Sequence, residues 1–119
     1  MARKKRIRVR DLSEIVNRFS VHALPGGHGS TRYVLQGCVG TATIPATDNS
    51  GSAFQVKLLE LDMEGVRFAS EAAVAVGQQL TITIDTPEIA KQILACQVVS
   101  IDPRELNGCG GRAEFVDDA

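Results

Sequence analysis

Five consecutive residues, Leu80-Thr81-Ile82-Thr83-Ile84, alternate strictly between aliphatic and hydroxyl side chains. Such a run has one apolar and one polar face only as an extended strand. The same alternation returns in Phe54-Gln55-Val56-Lys57-Leu58, in Val66-Arg67-Phe68 and in Arg112-Ala113-Glu114-Phe115-Val116. Tyr33 to Ile44 is also strand-like, and its Gly37 and Gly40 read as bulges. Ile93 to Ile101 is a nearly continuous apolar run, as expected of a well-buried strand. Turn chemistry separates these runs: Pro45 to Ser52, a bend at Val74 to Gln78, Thr86-Pro87-Glu88 with one helical turn through Ile89 and Ala90, Asp102-Pro103, and Asn107 to Gly111. About six short strands with regular punctuation predict an all-β domain, a small antiparallel barrel or sandwich. Closing the sheet would remove its edges.

The region before residue 32 has a different character. Arg3, Lys4, Lys5, Arg6, Arg8 and Arg10 place six of the 13 basic residues in the first ten positions. Residues 11–119 are left with seven basic and 14 acidic residues, a balance of −7. A basic leader on an acidic body points to an anionic partner or to the body itself. Asp11 to Phe19 reads as a short helix: Asp11 is placed to cap it, Glu14 follows three residues on, and Leu12, Ile15, Val16 and Phe19 share one stripe. Such a stripe is a flap over a core. Pro25-Gly26-Gly27-His28-Gly29-Ser30 reads as a loop. The expected organisation is therefore a leader, helix and glycine loop over 1–31, followed by a β-barrel domain over 32–119.

Several chemistries are disfavoured. The glycine loop lacks the Lys-Ser/Thr ending and following helix of a phosphate loop. A nucleophilic triad needs a His oriented beside a Ser or Cys, and both histidines, His22 and His28, precede residue 30 in or near a loop. Cys38, Cys96 and Cys109 are odd in number and widely spaced, which argues against a zinc site and for reduced thiols in a cytoplasmic protein. No run reaches the ~18 apolar residues of a membrane span. Nucleic-acid binding through residues 3–10 would be sequence-independent and salt-sensitive, and an acidic body with one Tyr and no Trp lacks a stacking platform for it. No enzymatic activity, metal or cofactor is expected.

The stretch Leu58 to Phe68 carries the chemistry. A strand runs into Glu60-Leu61-Asp62-Met63-Glu64-Gly65, and a second strand resumes at Val66. On an extended strand, Glu60 and Asp62 would point the same way. Two carboxylates that close cap a turn or bind a cation more readily than they divide into acid and base.

From residue 32 onward the chain resembles the PilZ domain family, small six-stranded β-barrels of bacterial signalling, many of which bind cyclic di-GMP. The resemblance covers about 90 residues. It rests on the strand into the corner (Phe54 to Leu61), Gly65-Val66-Arg67-Phe68, the run from Val74 to Ile84, and Arg112 to Asp117. It implies a six-stranded antiparallel barrel, here preceded by the short N-terminal helix, and a candidate ligand site. The family's signature is an R-x-x-x-R loop before the first strand and a D-x-S-x-x-G corner between the second and third. Here His28 and Arg32 hold the arginine positions, while Glu60, Asp62 and Gly65 hold the Asp, Ser and Gly positions.

These departures matter physically. A histidine near neutral pH cannot offer a guanidinium fork to a phosphate. Asp62 introduces a second carboxylate where a hydroxyl would sit, and like charges repel in a partly dry site. Each change costs on the order of 1–3 kcal/mol, together enough to remove a micromolar affinity. Arg6, Arg8 and Arg10 form an alternative arginine arm, with literal R-x-x-x-R spacing, that could reach the acidic corner. Asp48-Asn49-Ser50 has D-x-S, but Ala53 takes the Gly place. The resemblance thus implies a cytoplasmic, non-enzymatic signalling module acting through a protein partner. Cyclic di-GMP is its candidate ligand, with a ligand-independent adaptor of pilus or flagellar systems as the alternative.

Overall fold

The computed structural model describes residues 9–25, 31–44, 52–103 and 109–117. A 3-10 turn, Val9–Leu12, leads into helix α1 (Ser13–Phe19). Seven strands follow: β1 (Ser20–Pro25), β2 (Thr31–Ile44), β3 (Ser52–Leu61), β4 (Gly65–Ser70), β5 (Gln79–Ile84), β6 (Gln92–Ile101) and β7 (Gly110–Phe115). All pairings are antiparallel, in the order β1-β2-β3-β4-β7-β6-β5, and β5 returns to pair with β2. Strands β2 to β7 are therefore a closed six-stranded barrel, which decides between the barrel and the sandwich that the alternating runs allow. β1 is a seventh strand outside it, formed by residues with no clear strand signal, and it takes in Pro25 as its last residue.

Alternation decides the inside. Phe54, Val56 and Leu58 of β3, Leu80, Ile82 and Ile84 of β5, and Leu94, Cys96 and Val98 of β6 all point into one core with Val66, Phe68, Ala113 and Phe115. Each of the larger side chains contributes about 1.5–3 kcal/mol by leaving water. β6 differs from the expectation of a strand buried on both faces. Its burial alternates, and Ile93 is 61% exposed, because one side of a barrel wall of this kind faces solvent.

The apolar stripe of α1 closes one region of the core. Leu12, Ile15 and Phe19 are buried in the same cluster as the barrel residues, with Val16 against them. The expected cap is not used. Leu12 stands at the N-cap position with no side-chain hydrogen bond, because the preceding 3-10 turn draws Asp11 into helical geometry. Glu14 instead accepts from the backbone N–H of Ala90, just before β6, at 3.4 Å.

The two strand glycines of β2 do different things. At Gly37 (φ +74°) the chain adopts a left-handed conformation within a bulge where four residues of β2 oppose two of β3. Gly40 is not at a bulge. A Cβ there would sit 2.8 Å from the Thr83 carbonyl oxygen, so its role is to let β5 approach and close the barrel. Residues 87–90 form a turn and bend without helix.

Candidate functional site

Strict alternation along β3 would put Glu60 inside, in phase with Phe54, Val56 and Leu58. It does not, because of a bulge. Leu58 pairs with Phe68 but Glu60 pairs with Arg67, so β3 spends two residues against one of β4. The extra residue reverses the phase: Leu61 enters the core, fully buried, and Glu60 is turned onto the outer surface. A second bulge of the same kind lies between Val98 and Ser100 on β6 and brings Ser100 opposite Arg112. Cross-strand register then aligns one outer row: His22 of β1, Val34 of β2, Glu60 of β3, Arg67 of β4, Arg112 of β7 and Ser100 of β6.

The middle of that row is an ion ladder. Glu60 uses both oxygens: Oε1 accepts from Arg32 Nε at 2.9 Å and Oε2 from Arg67 Nη1 at 2.7 Å. The Arg67 fork also reaches Asp102 Oδ2, at 3.3 Å. Arg112, directly opposite Arg67 in the sheet, reaches Asp62 Oδ1 at 3.2 Å. The carboxylate side chains are 10–17% exposed and the arginines 31–45%, so the acids lie low and the guanidinium groups cover them. Three arginines and three carboxylates leave this cluster with no net charge.

Asp62 has a second occupation. It lies just past the end of β3, and its Oδ1 also accepts the backbone N–H groups of Glu64 (2.8 Å) and Gly65 (3.0 Å). It is the side-chain clasp of the turn. Burial by itself would raise the Asp62 pKa. The hydrogen bonds and charge of Arg112 and the two backbone donors outweigh it and hold the carboxyl below its ordinary value. The expectation that Glu60 and Asp62 project together from one strand face is therefore corrected. The strand ends between them, and each carboxylate has its own arginine partner.

Gly65 also has a structural reason. Its position faces Glu114 on β7, and a Cβ there would overlap the Ala113 carbonyl oxygen. Side chains are excluded because the two strands cross too closely, independently of any ligand.

Of the candidate site residues, the fold brings Arg32 and Glu60 into contact and sets Asp62 and Gly65 in the adjoining turn. His28, Arg6 and Arg8 lie outside the described residues, as does the Arg10 side chain. Arg67, Arg112 and Asp102 complete the ladder and were not among the candidates. Their outward phase is readable in Val66-Arg67-Phe68 and Arg112-Ala113-Glu114, but the β4–β7 pairing joins segments more than forty residues apart. Between Arg67, Arg112, Ser100 and Asp102 lies a shallow depression of about 230 Å³. Ligand pockets start at roughly 300 Å³. Among the described residues no cluster of His, Cys, Asp and Glu is arranged to hold a metal ion. Nor is any helix among them long and apolar enough to cross a membrane.

No family model, curated protein or solved structure matches the chain.

Proposed function

We propose that the chain is a non-enzymatic regulatory module of the PilZ type that acts through a protein partner without needing cyclic di-GMP. Two features support the PilZ reading: a closed six-stranded barrel, and an acidic corner that falls between its second and third strands, β3 and β4. The observation that carries ligand independence is Glu60, whose carboxylate bridges Arg32 and Arg67.

A phosphodiester would meet two guanidinium groups whose charge one carboxylate already offsets, and it would compete with that carboxylate for both. Asp62 and Asp102 lie against Arg112 and Arg67, so the three carboxylates offset the three arginines and no net positive field draws a dianion to the corner. What the corner offers instead is a rigid, charge-patterned surface, of the kind that sets register and selectivity with a protein partner.

Calorimetry with cyclic di-GMP on the full-length protein tests the reading. The expected result is no heat of binding up to millimolar ligand, for the native chain and for Arg32→Ala alike. Micromolar binding that disappears in Arg32→Ala would overturn it and make the corner a receptor site. Glu60→Gln sharpens the comparison: a gain of binding in that variant alone shows that the carboxylate keeps the ligand out.

A further inference from the structure

Arg67 and Arg112 stand directly opposite each other on neighbouring strands, β4 and β7, in the outer row. Like charges in that relation repel. Each is tied to acids of its own: Arg67 donates to Glu60 and Asp102, and Arg112 to Asp62. Among the described residues no carboxylate accepts from both. Followed from contact to contact, the charges run Arg32, Glu60, Arg67, Arg112, Asp62, and the alternation of sign fails at the step between the two strands. Donors remain at that step. A guanidinium carries five N–H groups. Arg112 engages Nη2 and Arg67 its two Nη atoms, which leaves the Nε–H of each, and the Nη1 group of Arg112, without an acceptor among the described residues. The shallow depression of about 230 Å³ lies at the same place, lined by both arginines with Ser100 and Asp102.

We infer that the partner protein seats one acidic side chain here, an aspartate or glutamate whose carboxylate accepts from Arg67 and Arg112 together. The inference rests on the reading of the corner as a surface for a protein partner. The fold carries a template for the contact one step along the row, where Glu60 gives one oxygen to Arg32 at 2.9 Å and the other to Arg67 at 2.7 Å. Because the cluster has no net charge, short-range donors rather than a long-range field select the occupant. Asp102 lies in the lining too, but it is 10% exposed and held by the Arg67 fork, so an arriving carboxylate meets guanidinium first. A single negative charge answers the two facing cations. The second charge of a phosphate dianion would find no third cation in the lining and would stand against Asp102. The space admits the tip of a side chain and is smaller than the roughly 300 Å³ at which ligand pockets begin.

The test is an NMR titration of the full chain that follows the arginine Nε–Hε signals. The probe is N-acetylglutamate α-amide, with its glutamine counterpart and inorganic phosphate at pH 7.5 and equal ionic strength as comparisons. The Arg67 and Arg112 signals should shift saturably with the glutamate compound, with a midpoint in the millimolar range. The glutamine compound should move neither, and phosphate should bind more weakly. Arg112→Gln should raise the midpoint at least roughly tenfold. Lys57→Gln, which removes an exposed cation outside the depression, should change it less than about twofold. Ser100→Glu gives a second, internal reading, since residue 100 stands opposite Arg112 in register. Its own carboxylate should abolish the probe's shift and raise the melting temperature above that of Ser100→Gln at pH 7. No saturable shift up to about 100 mM probe overturns the inference. So does phosphate binding as tightly as the carboxylate, an equal response to the glutamine compound, or a probe response indifferent to Arg112→Gln or Ser100→Glu. Cyclic di-GMP binding with the carboxylate response intact would overturn the ligand-independent reading and leave this one standing. An absent carboxylate response without cyclic di-GMP binding would do the reverse.

Discussion

Asp62 is asked to do two jobs with one oxygen: hold the turn through the Glu64 and Gly65 N–H groups, and pair with Arg112. An amide oxygen can accept at both but brings no charge to the second. Asp62→Asn keeps a carbonyl acceptor for the turn and loses the charge, so it isolates the ion pair. With partial solvent access on both partners, the expected loss at pH 7 is about 1 kcal/mol. The sign with pH follows from the lowered pKa. A carboxyl held below its unfolded value of 3.8 stabilises the fold above that value and loses the contribution as pH falls through its folded value. Urea unfolding of the two proteins should therefore differ at pH 7, begin to converge near pH 3.8, and meet only once the pH is below the folded value. Equal stability at pH 7 would show that Arg112 adds nothing.

At the scale of elements, α1 is seven residues long and makes no side-chain cap, too short to persist alone in water. Tertiary burial holds it: Ile15 is fully buried and Leu12 and Phe19 nearly so. Ile15→Ala should cost about 2–5 kcal/mol, the range for a buried aliphatic replaced by Ala. Chemical denaturation reads the loss directly. A cost below about 1 kcal/mol would mean that the helix lies on the barrel without completing its core. The bulges on β3 and β6 act at this scale too. Each inserts one residue, and each converts a side chain that alternation would bury, Glu60 or Ser100, into a member of the outer row.

For the molecule as a whole, the core reaches to its thiols. Cys38 and Cys96 are fully buried, and burial pushes both up to about 12. Neither forms appreciable thiolate at pH 8 while the barrel is closed. A thiol-reactive reagent should label Cys109, which is partly exposed, and reach Cys38 and Cys96 only at the rate of unfolding. Mass spectrometry of the labelled native protein checks this. Rapid triple labelling without denaturant would mean that the barrel opens locally at β2 or β6.

The chain declares its barrel openly. Period-two runs such as Leu80 to Ile84 and Phe54 to Leu58 satisfy themselves only with one face in a core and one in water, and glycine and proline mark where the strands turn. The stripe of α1 and the corner at Glu60 to Gly65 are legible for the same reason: both are local patterns. What could not be read locally is what the corner does. Glu60 stands in phase with buried Leu58, and only the non-local pairing of β3 with β4 inserts the bulge that turns it outward. Arg67 and Arg112 meet because β4 pairs with β7, and Asp102 joins them through Arg67. β1 pairs with the first part of β2 and β5 with Thr41 to Thr43, which no local pattern in β2 announces. Alternation specifies faces, which is a property of neighbours along the chain. Register and closure specify which charges meet, and those belong to segments brought together only when the sheet closes on itself.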